Sequence, residues 1–266
     1  MLKIDLTLPT PHQNIAFEQA MFDAAEINES ESKGHSEPSS PIALSSAEPT
    51  EFLRFWEPQP KFVVLGRSGK IEEEAFVQRC REDGVEIIRR ASGGGTILTG
   101  AGCLMYSVVL SSKKNPALRD IGYCHQFIAE RMKSAFAKCG KQIELHGHSD
   151  LCVQDRDGIT RKFSGNAMRL GRSNLIYHGT LLISFELGAI ARYLQFPSKR
   201  PDYRDQRSHL QFVTNIEVDS AVLKQSISVA FGANQEITPL EKSHLLEQTE
   251  ILVAERYSKD DWNFIR

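Results

Sequence analysis

Hydrophobic residues recur along the chain with a helical period in some stretches and as short extended runs in others. The first helical pattern follows Thr10, where a threonine–proline pair is a typical helix start, and it carries Ile15, Phe17 and Met21 at helical spacing. Helical patterns also cover EEEAFVQRCRED, the segment up to Gly140, GAIARYL, and a stretch opened by the capping box TPLE. The chain is therefore expected to contain helices from its beginning to its end.

Extended runs of β-branched and aromatic residues predict strands between these helices. They are FLRFW and KFVVLG around a proline turn, VEIIR, TIL, CLMYSVVL, QIEL, DLCVQ, ITRKFS and NLIYHGTLLIS. Strands and helices are mixed without strict alternation. The pattern predicts an α+β fold in which mixed or antiparallel sheets pack with helices.

Residues 29–50 depart from both periods. The segment is rich in serine, proline and glutamate and has little to bury, so it cannot offset the entropy of ordering. We expect a flexible insertion there, within a single domain that spans residues 1–266.

Composition excludes several classes of function. The net charge is −2, which gives no strong field toward nucleic acid or an anionic membrane. No apolar run approaches the roughly 20 residues of a membrane span, and the N-terminus lacks a signal architecture. The 5 cysteines form no CxxC pair, which argues against a disulfide framework or a zinc knuckle. We expect a cytoplasmic protein without nucleic-acid or membrane partners.

The strongest chemical signal is the glycine-rich segment RRASGGGTILTGAG, Arg89–Gly102. Walker and Rossmann phosphate loops lead into a helix, whereas these glycines lead into a β-like run and lack the Walker lysine. What remains is a strand–loop–strand whose backbone N–H groups approach a ligand. Arg89 or Arg90 would then offer donors to a carboxylate or phosphate. A tight loop without a ligand is the open alternative.

A second group of polar residues surrounds a predicted hairpin with the turn DRDG. Asp150 lies on its first strand and Lys162 on the returning strand, and a glycine turn at 164–166 and the triplet 178–180 follow. Asp150 would offer oxygen ligands to the Mg²⁺ of a metal-bound nucleotide, and Lys162 would neutralise charge on a phosphate. A solvated lysine on a hairpin is the alternative.

Two other sites are excluded in the same region. GHSDL approaches the G-x-S-x-G nucleophile elbow, but Leu151 replaces the last glycine and no helix follows. His146, His148 and Cys152 lack a clear fourth ligand and a recognised zinc spacing.

Taken in order, these motifs resemble the lipoate–protein ligase family, whose relatives are biotin–protein ligases and octanoyltransferases. NIAFEQAMF resembles the opening helix, LRFWEPQPKFVVLGRS the paired strands after it, and RRASGGGT the arginine–glycine lipoyl loop. SDLCV, RKFSGNA and HGTLL resemble the adenylation core, and YRDQRSHLQFVTNI the later arginine-containing segment. The resemblance covers most of the chain and implies the biotin/lipoate-ligase catalytic-domain fold.

The resemblance also implies roles for individual residues. Lys162 would be the essential lysine that contacts the acyl carbonyl and α-phosphate, and Asp150 an aspartate near the Mg²⁺ and nucleotide. The glycine-rich loop would close over an acyl-adenylate, with His178 at the acyl end. The residues expected to bind substrate are Arg90, Ser92, Gly93, Gly94, Gly95, Ser164, Gly165, Ala167, His178, Gly179 and Thr180.

The implied reaction has two steps and needs no covalent enzyme nucleophile. The carboxylate of lipoate attacks the α-phosphorus of ATP, which gives lipoyl-AMP and pyrophosphate. A lysine amine of an acceptor then attacks the activated carbonyl, and AMP leaves. The implied cofactors are ATP and Mg²⁺, and the implied partner is a lipoyl-acceptor domain of the 2-oxoacid dehydrogenase or glycine-cleavage type.

The chain departs from the family pattern in two places. Thr99–Gly102 stands where many ligases have a histidine–aspartate pair, and the chain ends just after its last predicted helix, where many ligases continue into an accessory domain. A separate accessory protein would then supply that part, or this domain would perform only the transfer step. The basic run SKRPDYRDQRSH is expected to be an acceptor-docking surface, an ordering element near the adenylate, or a solvated loop.

Two alternative functions stay open at this point. One is an octanoyl or lipoyl transferase acting without ATP. Transferases that resemble ligases place their cysteine beyond the lysine motif, and this chain has no cysteine after Cys152. The other is a non-catalytic member that binds acyl groups or nucleotides.

Overall fold

The computed structural model describes residues 1–31, 50–197 and 201–265. The insertion expected at 29–50 lies almost entirely outside these ranges, and the first helix continues to Glu31. None of the helices in the described ranges has the length and apolar character that a bilayer crossing requires.

The strands are β1 (Leu2–Asp5), β2 (Phe52–Trp56), β3 (Phe62–Leu65), β4 (Glu86–Arg89), β5 (Ile97–Thr99), β6 (Cys103–Ser111), β7 (Glu144–His146), β8 (Asp150–Gln154), β9 (Thr160–Leu170), β10 (Asn174–Leu182) and β11 (Gln235–Glu236). The α-helices are α1 (Pro11–Glu31), α2 (Ile71–Glu74), α3 (Val77–Glu82), α4 (Ile121–Lys138), α5 (Gly188–Tyr193), α6 (His209–Phe212), α7 (Ser220–Phe231), α8 (Pro239–Leu252) and α9 (Asp260–Asn263).

These strands form a large sheet and a small sheet. The described part of the large sheet has 8 strands in the order β11-β1-β2-β6-β10-β9-β8-β7. Strand β1 runs parallel to both of its neighbours, whereas β2, β6, β10, β9, β8 and β7 pair antiparallel. The small sheet has the order β4-β3-β5, with one parallel and one antiparallel pairing. The predicted mixture of sheet and helix is confirmed.

Helices cover both faces of the large sheet. Helices α4 and α7 bury one face around Phe136, Phe163 and Tyr177. Helices α1 and α8 pack on the opposite face around Phe17, and the small sheet shares a core with that face through Trp56. The loop that joins β4 to β5 therefore reaches the large sheet beside α1.

Local signals predicted several helix ends correctly. Thr238 and Glu241 form the capping box of α8, in which the Thr238 hydroxyl accepts from the Glu241 N–H at 3.3 Å. Gly140 follows α4 with a φ of +71°, a conformation that glycine adopts without strain. Cys124 is buried as expected, whereas Cys139 is half-buried.

Two expectations about local structure were wrong. The helix expected over EEEAFVQRCRED is divided into α2 and α3, because Ala75 is extended and forms a bridge to Leu194. In addition, the Phe76 N–H donates to the carbonyl of Tyr193 at 2.8 Å. Strands β2 and β3 are not paired with each other and lie in different sheets.

Candidate active site

The glycine-rich loop connects β4 to β5 and is held together by its own arginine. Arg90 is buried, and its guanidinium donates to the carbonyl oxygens of Gly93 at 2.6 Å and Gly95 at 2.8 Å and to Ser92 Oγ at 3.0 Å. Burial lowers the pKa of Arg90 to about 10, which leaves it charged at neutral pH. The charge of Arg90 therefore stabilises the shape of the loop, a use that the motif did not reveal.

Arg89 also acts within the scaffold. Its guanidinium donates to the carbonyl oxygen of Gly69 at 2.7 Å and to that of Gly66 at 3.0 Å. Its backbone N–H donates to Asn263 Oδ1 at 2.9 Å, which ties α9 to the start of the loop. Of the two arginines, Arg89 fixes the base of the loop and Arg90 fixes its turn.

Two glycines permit the close approach of the loop to its neighbours. A Cβ on Gly66 would lie 2.0 Å from the carbonyl oxygen of Gly94, and a Cβ on Gly94 would lie 3.2 Å from the Cβ of Ala167 in β9. Gly94 also has a φ of +87°. By contrast, a Cβ on Gly93 or Gly95 would meet no described atom within 4 Å. The glycines at Gly66 and Gly94 are thus required by packing, and those at Gly93 and Gly95 border open space.

Lys162 and Asp150 are brought together on neighbouring strands of the hairpin. Lys162 Nζ lies 2.7 Å from Asp150 Oδ1, with 25% and 14% of the two side chains exposed. Asp150 Oδ2 accepts a hydrogen bond from the hydroxyl of Tyr203 at 2.8 Å. Burial raises the pKa of Tyr203, so its hydroxyl stays protonated and is the donor. Sequence reasoning missed Tyr203.

The lysine and the glycine-rich loop lie on one face of β9. A Cβ on Gly165 would be 3.0 Å from Lys162 Nζ, and Ala167 contacts Gly94 from the position two residues further along the strand. Alternate residues of a strand share a face, so the ammonium group and the loop are neighbours. Gly165 therefore leaves room for the lysine side chain, and the expected glycine turn at 164–166 is instead part of β9.

His178 lies on β10 opposite Ala167, next to the same loop. His178 Nδ1 is 2.5 Å from Glu18 Oε2, and His178 Nε2 is 2.6 Å from Ser92 Oγ. Because a carboxylate only accepts hydrogen bonds, Nδ1 carries a proton. Burial opposes ionisation of Glu18, but His178 and then Arg54 outweigh it and lower the Glu18 pKa. A small cavity opens here, lined by Ile15, Ile176, Ser92 and His178.

Glu18 is the second functional candidate that sequence reasoning missed. It lies on α1 between the buried positions Ile15 and Phe22 and is itself buried. Every residue from 14 to 22 is buried, and a carboxylate in such a segment is unusual and needs a partner. That position was the available signal, although the identity of the partner could not be read from it.

Three of the expected substrate-binding residues are engaged within the protein. Gly179 makes room for the Asn166 side chain, because a Cβ there would be 1.9 Å from Asn166 Oδ1. Asn166 Oδ1 accepts from the Tyr106 hydroxyl at 2.6 Å and from the Ser164 hydroxyl at 3.4 Å. The Thr180 hydroxyl contacts Met105 Sδ at 3.2 Å. Gly179 and Asn166 thus lie behind the face that carries His178, whereas Thr180, two residues further along β10, shares the face of His178 and packs against β6.

The donor set bears on the expected Mg²⁺. Among the described residues, no group of three or more His, Cys, Asp or Glu side chains is arranged to hold a metal ion. Asp150 contributes one carboxylate, which is shared between Lys162 and Tyr203. A single carboxylate fits Mg²⁺ that is held mainly by substrate phosphates and water, and it does not fit a metal held by protein alone.

The described part of the basic run SKRPDYRDQRSH, residues 201–209, packs against β9 and against its own side chains. Lys199 and Arg200 lie outside the described residues. Arg204 is buried and stacks on Phe212, with its Cζ 4.7 Å from the ring centroid. Arg207 donates to the carbonyl oxygen of Thr160 at 2.7 Å and also to that of Tyr203. Both described arginines thus order the segment that carries Tyr203, rather than presenting an open basic surface.

Comparison with known proteins gives a consistent family. Residues 10–256 match the family model described as "Lipoyl protein ligase A/B catalytic domain". The chain is 33% identical over 136 residues to a Schizosaccharomyces pombe protein named for lipoate-protein ligase A, covering 51% of this chain and 34% of that protein. A Mycoplasma pneumoniae protein named for the same activity is 23% identical over 228 residues, covering 83% of this chain and 64% of that protein. The chain thus spans only part of the length of both relatives.

Solved structures agree on the fold. A bi-partite lipoate protein ligase from Thermoplasma acidophilum has a TM-score of 0.75 at 20% identity, covering 99% of this chain and 96% of that chain. A T. acidophilum structure with bound lipoic acid has a TM-score of 0.71 at 19% identity, covering 99% and 98%. A lipoate-protein ligase A bound with ATP also has a TM-score of 0.71 at 19% identity, covering 99% of both chains. The expected ligase catalytic-domain fold is confirmed.

Proposed function

This chain belongs to the lipoyl protein ligase A/B catalytic domain family, and from that premise we propose that it activates lipoate or octanoate with ATP. The product is an acyl-AMP, whose acyl group the protein transfers to a lysine of a lipoyl-acceptor domain. The observation that carries the proposal is the Lys162–Asp150 ion pair beside the glycine-rich loop. Solved relatives of the same fold hold lipoic acid or ATP.

Lys162 is the proposed catalytic residue. Its ammonium leaves Asp150 and contacts the oxygens of the acyl carbonyl and α-phosphate, where negative charge develops during adenylation. The acyl chain enters beside the loop and His178, where the small cavity has to widen to take it, and this placement orients the carboxylate toward the nucleotide. The bare backbone at Gly93 and Gly95 faces the adenylate, because no side chain there obstructs its approach.

Mg²⁺ belongs to the same proposal as the ion that accompanies ATP. Asp150 is its proposed protein ligand, since it supplies carboxylate oxygen close to Lys162. The metal would add positive charge next to the phosphates. Asp150 would then have two successive partners, Lys162 before the nucleotide binds and Mg²⁺ afterwards.

The acceptor is proposed to be a lipoyl domain of a 2-oxoacid dehydrogenase or glycine-cleavage protein, and the reaction to take place in the cytoplasm. The T. acidophilum ligase is described as bi-partite and together with its E2 lipoyl domain. By analogy, residues 1–266 are proposed to form one catalytic domain that works with a separate accessory protein. The family model matches residues 10–256, which supports a single catalytic domain over most of these residues.

Four of the 5 cysteines give little support to a transferase that acts through a thioester. Burial raises the pKa of Cys103 and of Cys152 to about 11 and that of Cys124 to about 12. Burial also raises the pKa of Cys80. A thiol held protonated at neutral pH is a poor nucleophile. This electrostatic setting favours the route through ATP.

The deciding experiment is acylation of an apo lipoyl domain, read by intact mass. The full chain is incubated with the domain, lipoate and MgATP, with and without ATP. We expect a lipoyl mass increase that requires ATP and that Lys162→Ala abolishes. Lys133→Ala is the control, because Lys133 is a partly exposed lysine on α4 that pairs with Glu130 at 2.9 Å. Acylation from an octanoyl carrier protein alone would instead indicate a transferase.

A further inference from the structure

Tyr203 is the residue through which the basic segment reaches the candidate active site. Its hydroxyl donates to Asp150 Oδ2 at 2.8 Å, while Lys162 occupies Asp150 Oδ1 at 2.7 Å. The Asp150 carboxylate is therefore divided between a neutral donor and a cation. Tyr203 opens the motif YRDQRSHLQFVTNI but was not among the residues expected to bind substrate.

The segment around Tyr203 is built to hold the ring in one place. The ring packs on Phe212 and on His146, with centroid separations of 5.2 Å in both cases. Arg207 donates to the Tyr203 carbonyl oxygen and to Thr160 in β9. A Cβ on Gly147 would lie 3.3 Å from the Tyr203 ring, so a glycine allows the ring to pack closely there. These contacts direct the hydroxyl at Asp150, and the hydroxyl also lies 3.4 Å from Cys152 Sγ on β8.

Physical chemistry gives this arrangement a consequence for Lys162. A carboxylate that also accepts from a hydroxyl spreads its charge over an additional hydrogen bond and holds a neighbouring ammonium less tightly. The same hydrogen bond keeps the carboxylate in position once the ammonium moves away. The proposed mechanism includes that move, since Lys162 turns from Asp150 toward the reacting oxygens of the substrate.

We propose that Tyr203 is a positioning residue that anchors Asp150, so that Lys162 can exchange its ion pair for the reacting oxygens of the substrate. The inference rests on the proposed function of Lys162. In this proposal the segment 201–207 holds Asp150, the ion-pair partner of Lys162, in place. Tyr203 itself acts only through Asp150.

The chain contains a matched control for this chemistry. The Tyr193 hydroxyl donates to Asp83 Oδ2 at 2.9 Å, and Arg192 NH2 contacts the same oxygen at 2.7 Å. This group of a tyrosine, an aspartate and a cation joins α5 to the residue after α3 and includes none of the candidate site residues. Removing the Tyr193 hydroxyl deletes the same kind of hydrogen bond without touching Lys162.

The test is a double-mutant cycle on adenylation, measured as pyrophosphate release with lipoate and MgATP. Tyr203→Phe is expected to lower kcat about tenfold with KM for lipoate nearly unchanged, since it removes one hydrogen bond to a charged group. In an Asp150→Asn background the same change should have less than about a twofold effect, because its target is already altered. Tyr193→Phe should leave kcat unchanged. An equal effect of Tyr203→Phe in both backgrounds, or a change in KM alone, would overturn the proposal.

A crystal structure of Tyr203→Phe supplies a readout that does not depend on activity. The Asp150 carboxylate is expected to rotate and to place both oxygens toward Lys162. An unmoved carboxylate with an unchanged ion pair refutes the anchor even if the wild-type protein forms no acyl-AMP. Conversely, a wild-type chain without adenylation but with a rotated Asp150 in the variant refutes the proposed function and retains the anchor.

Discussion

The two charged segments beside the candidate site use their charge in different ways. The Arg90 guanidinium is buried and donates to carbonyl oxygens of its own loop. A quarter of the Lys162 side chain is exposed, and its partner is an aspartate on the adjacent strand. The arginine belongs to the more conspicuous motif, yet the lysine is the group that can turn toward a ligand. Whether a charge serves the scaffold or the chemistry depends on the hydrogen bonds it already makes.

The largest expected effect is on the rate of adenylation, and it separates a role in the reaction from a role in the stability of the fold. Lys162→Ala should lower the rate of adenylation by about a thousandfold, which is the upper range for removing one group that stabilises developing charge. Its unfolding midpoint should stay near that of the wild type, since the ion pair is partly exposed. Stopped-flow pyrophosphate release and thermal unfolding measure the two quantities. A large loss of stability would place Lys162 in the scaffold with Arg90.

Arg90→Met should instead lower the stability of the fold, which Lys162→Ala leaves nearly unchanged. The substitution leaves the carbonyl oxygens of Gly93 and Gly95 without their buried donor. The free energy of unfolding is expected to fall by about 3 kcal/mol, as is typical when buried acceptors lose a charged donor. Urea unfolding measures the change, with Arg192→Met as the exposed control, for which less than about 1 kcal/mol is expected. Equal stability of the Arg90 variant and the wild type would contradict the scaffold role.

The glycines of the loop offer a finer distinction. Gly66→Ala should lower the free energy of unfolding by about 1–3 kcal/mol, because its Cβ would overlap the Gly94 carbonyl oxygen and displace the loop. Gly93→Ala should stay within about 0.5 kcal/mol of the wild type, since its Cβ meets no described atom within 4 Å. If the adenylate lies against the loop, Gly93→Ala should raise KM for ATP while stability is unchanged. An unaltered KM would show that the adenylate does not lie against Gly93.

The sequence predicted features whose determinants are local. The capping box at Thr238, the hairpin that carries Asp150 and Lys162, and the strand–loop–strand around the glycines all depend on neighbouring residues. The division of the helix after Glu74 depends instead on pairing with Tyr193 and Leu194, which lie more than 100 residues away. No periodicity within the segment encodes that contact.

In the candidate site too, the sequence predicted local contacts and missed long-range ones. The sequence identified Lys162 and Asp150 as partners because a hairpin brings them together. It missed Glu18, which is 160 residues from His178, and Tyr203, which is 53 residues from Asp150. It also did not distinguish the faces of β10, on which Gly179 makes room for Asn166 while its neighbour His178 faces the cavity. Side-chain partners that depend on tertiary packing can be recognised from a sequence as anomalies, such as a glutamate among apolar residues, but they cannot be assigned.

The smallest expected effect concerns Glu18. Like Arg90 it is buried, and like Lys162 it contacts another residue of the candidate site, His178. Its pKa is below the usual 4.5 in the folded protein, since His178 and Arg54 outweigh the effect of burial. As the pH falls, the unfolded chain therefore takes up this proton first. The stability that ionised Glu18 contributes is fully present above a pH of about 4.5 and is lost as the pH falls through the lower pKa of the folded state.

Comparison with Glu18→Gln isolates this contribution from the other carboxylates. The difference in unfolding free energy between wild type and variant should be largest near pH 7 and should shrink as the pH falls toward about 3. Urea unfolding across that range measures it, with Glu130→Gln as a surface control. A difference that stays constant with pH would show that Glu18 acts through packing rather than through its charge. In that case packing rather than charge would orient His178. The Lys162–Asp150 ion pair would then be the charged interaction that shapes the site.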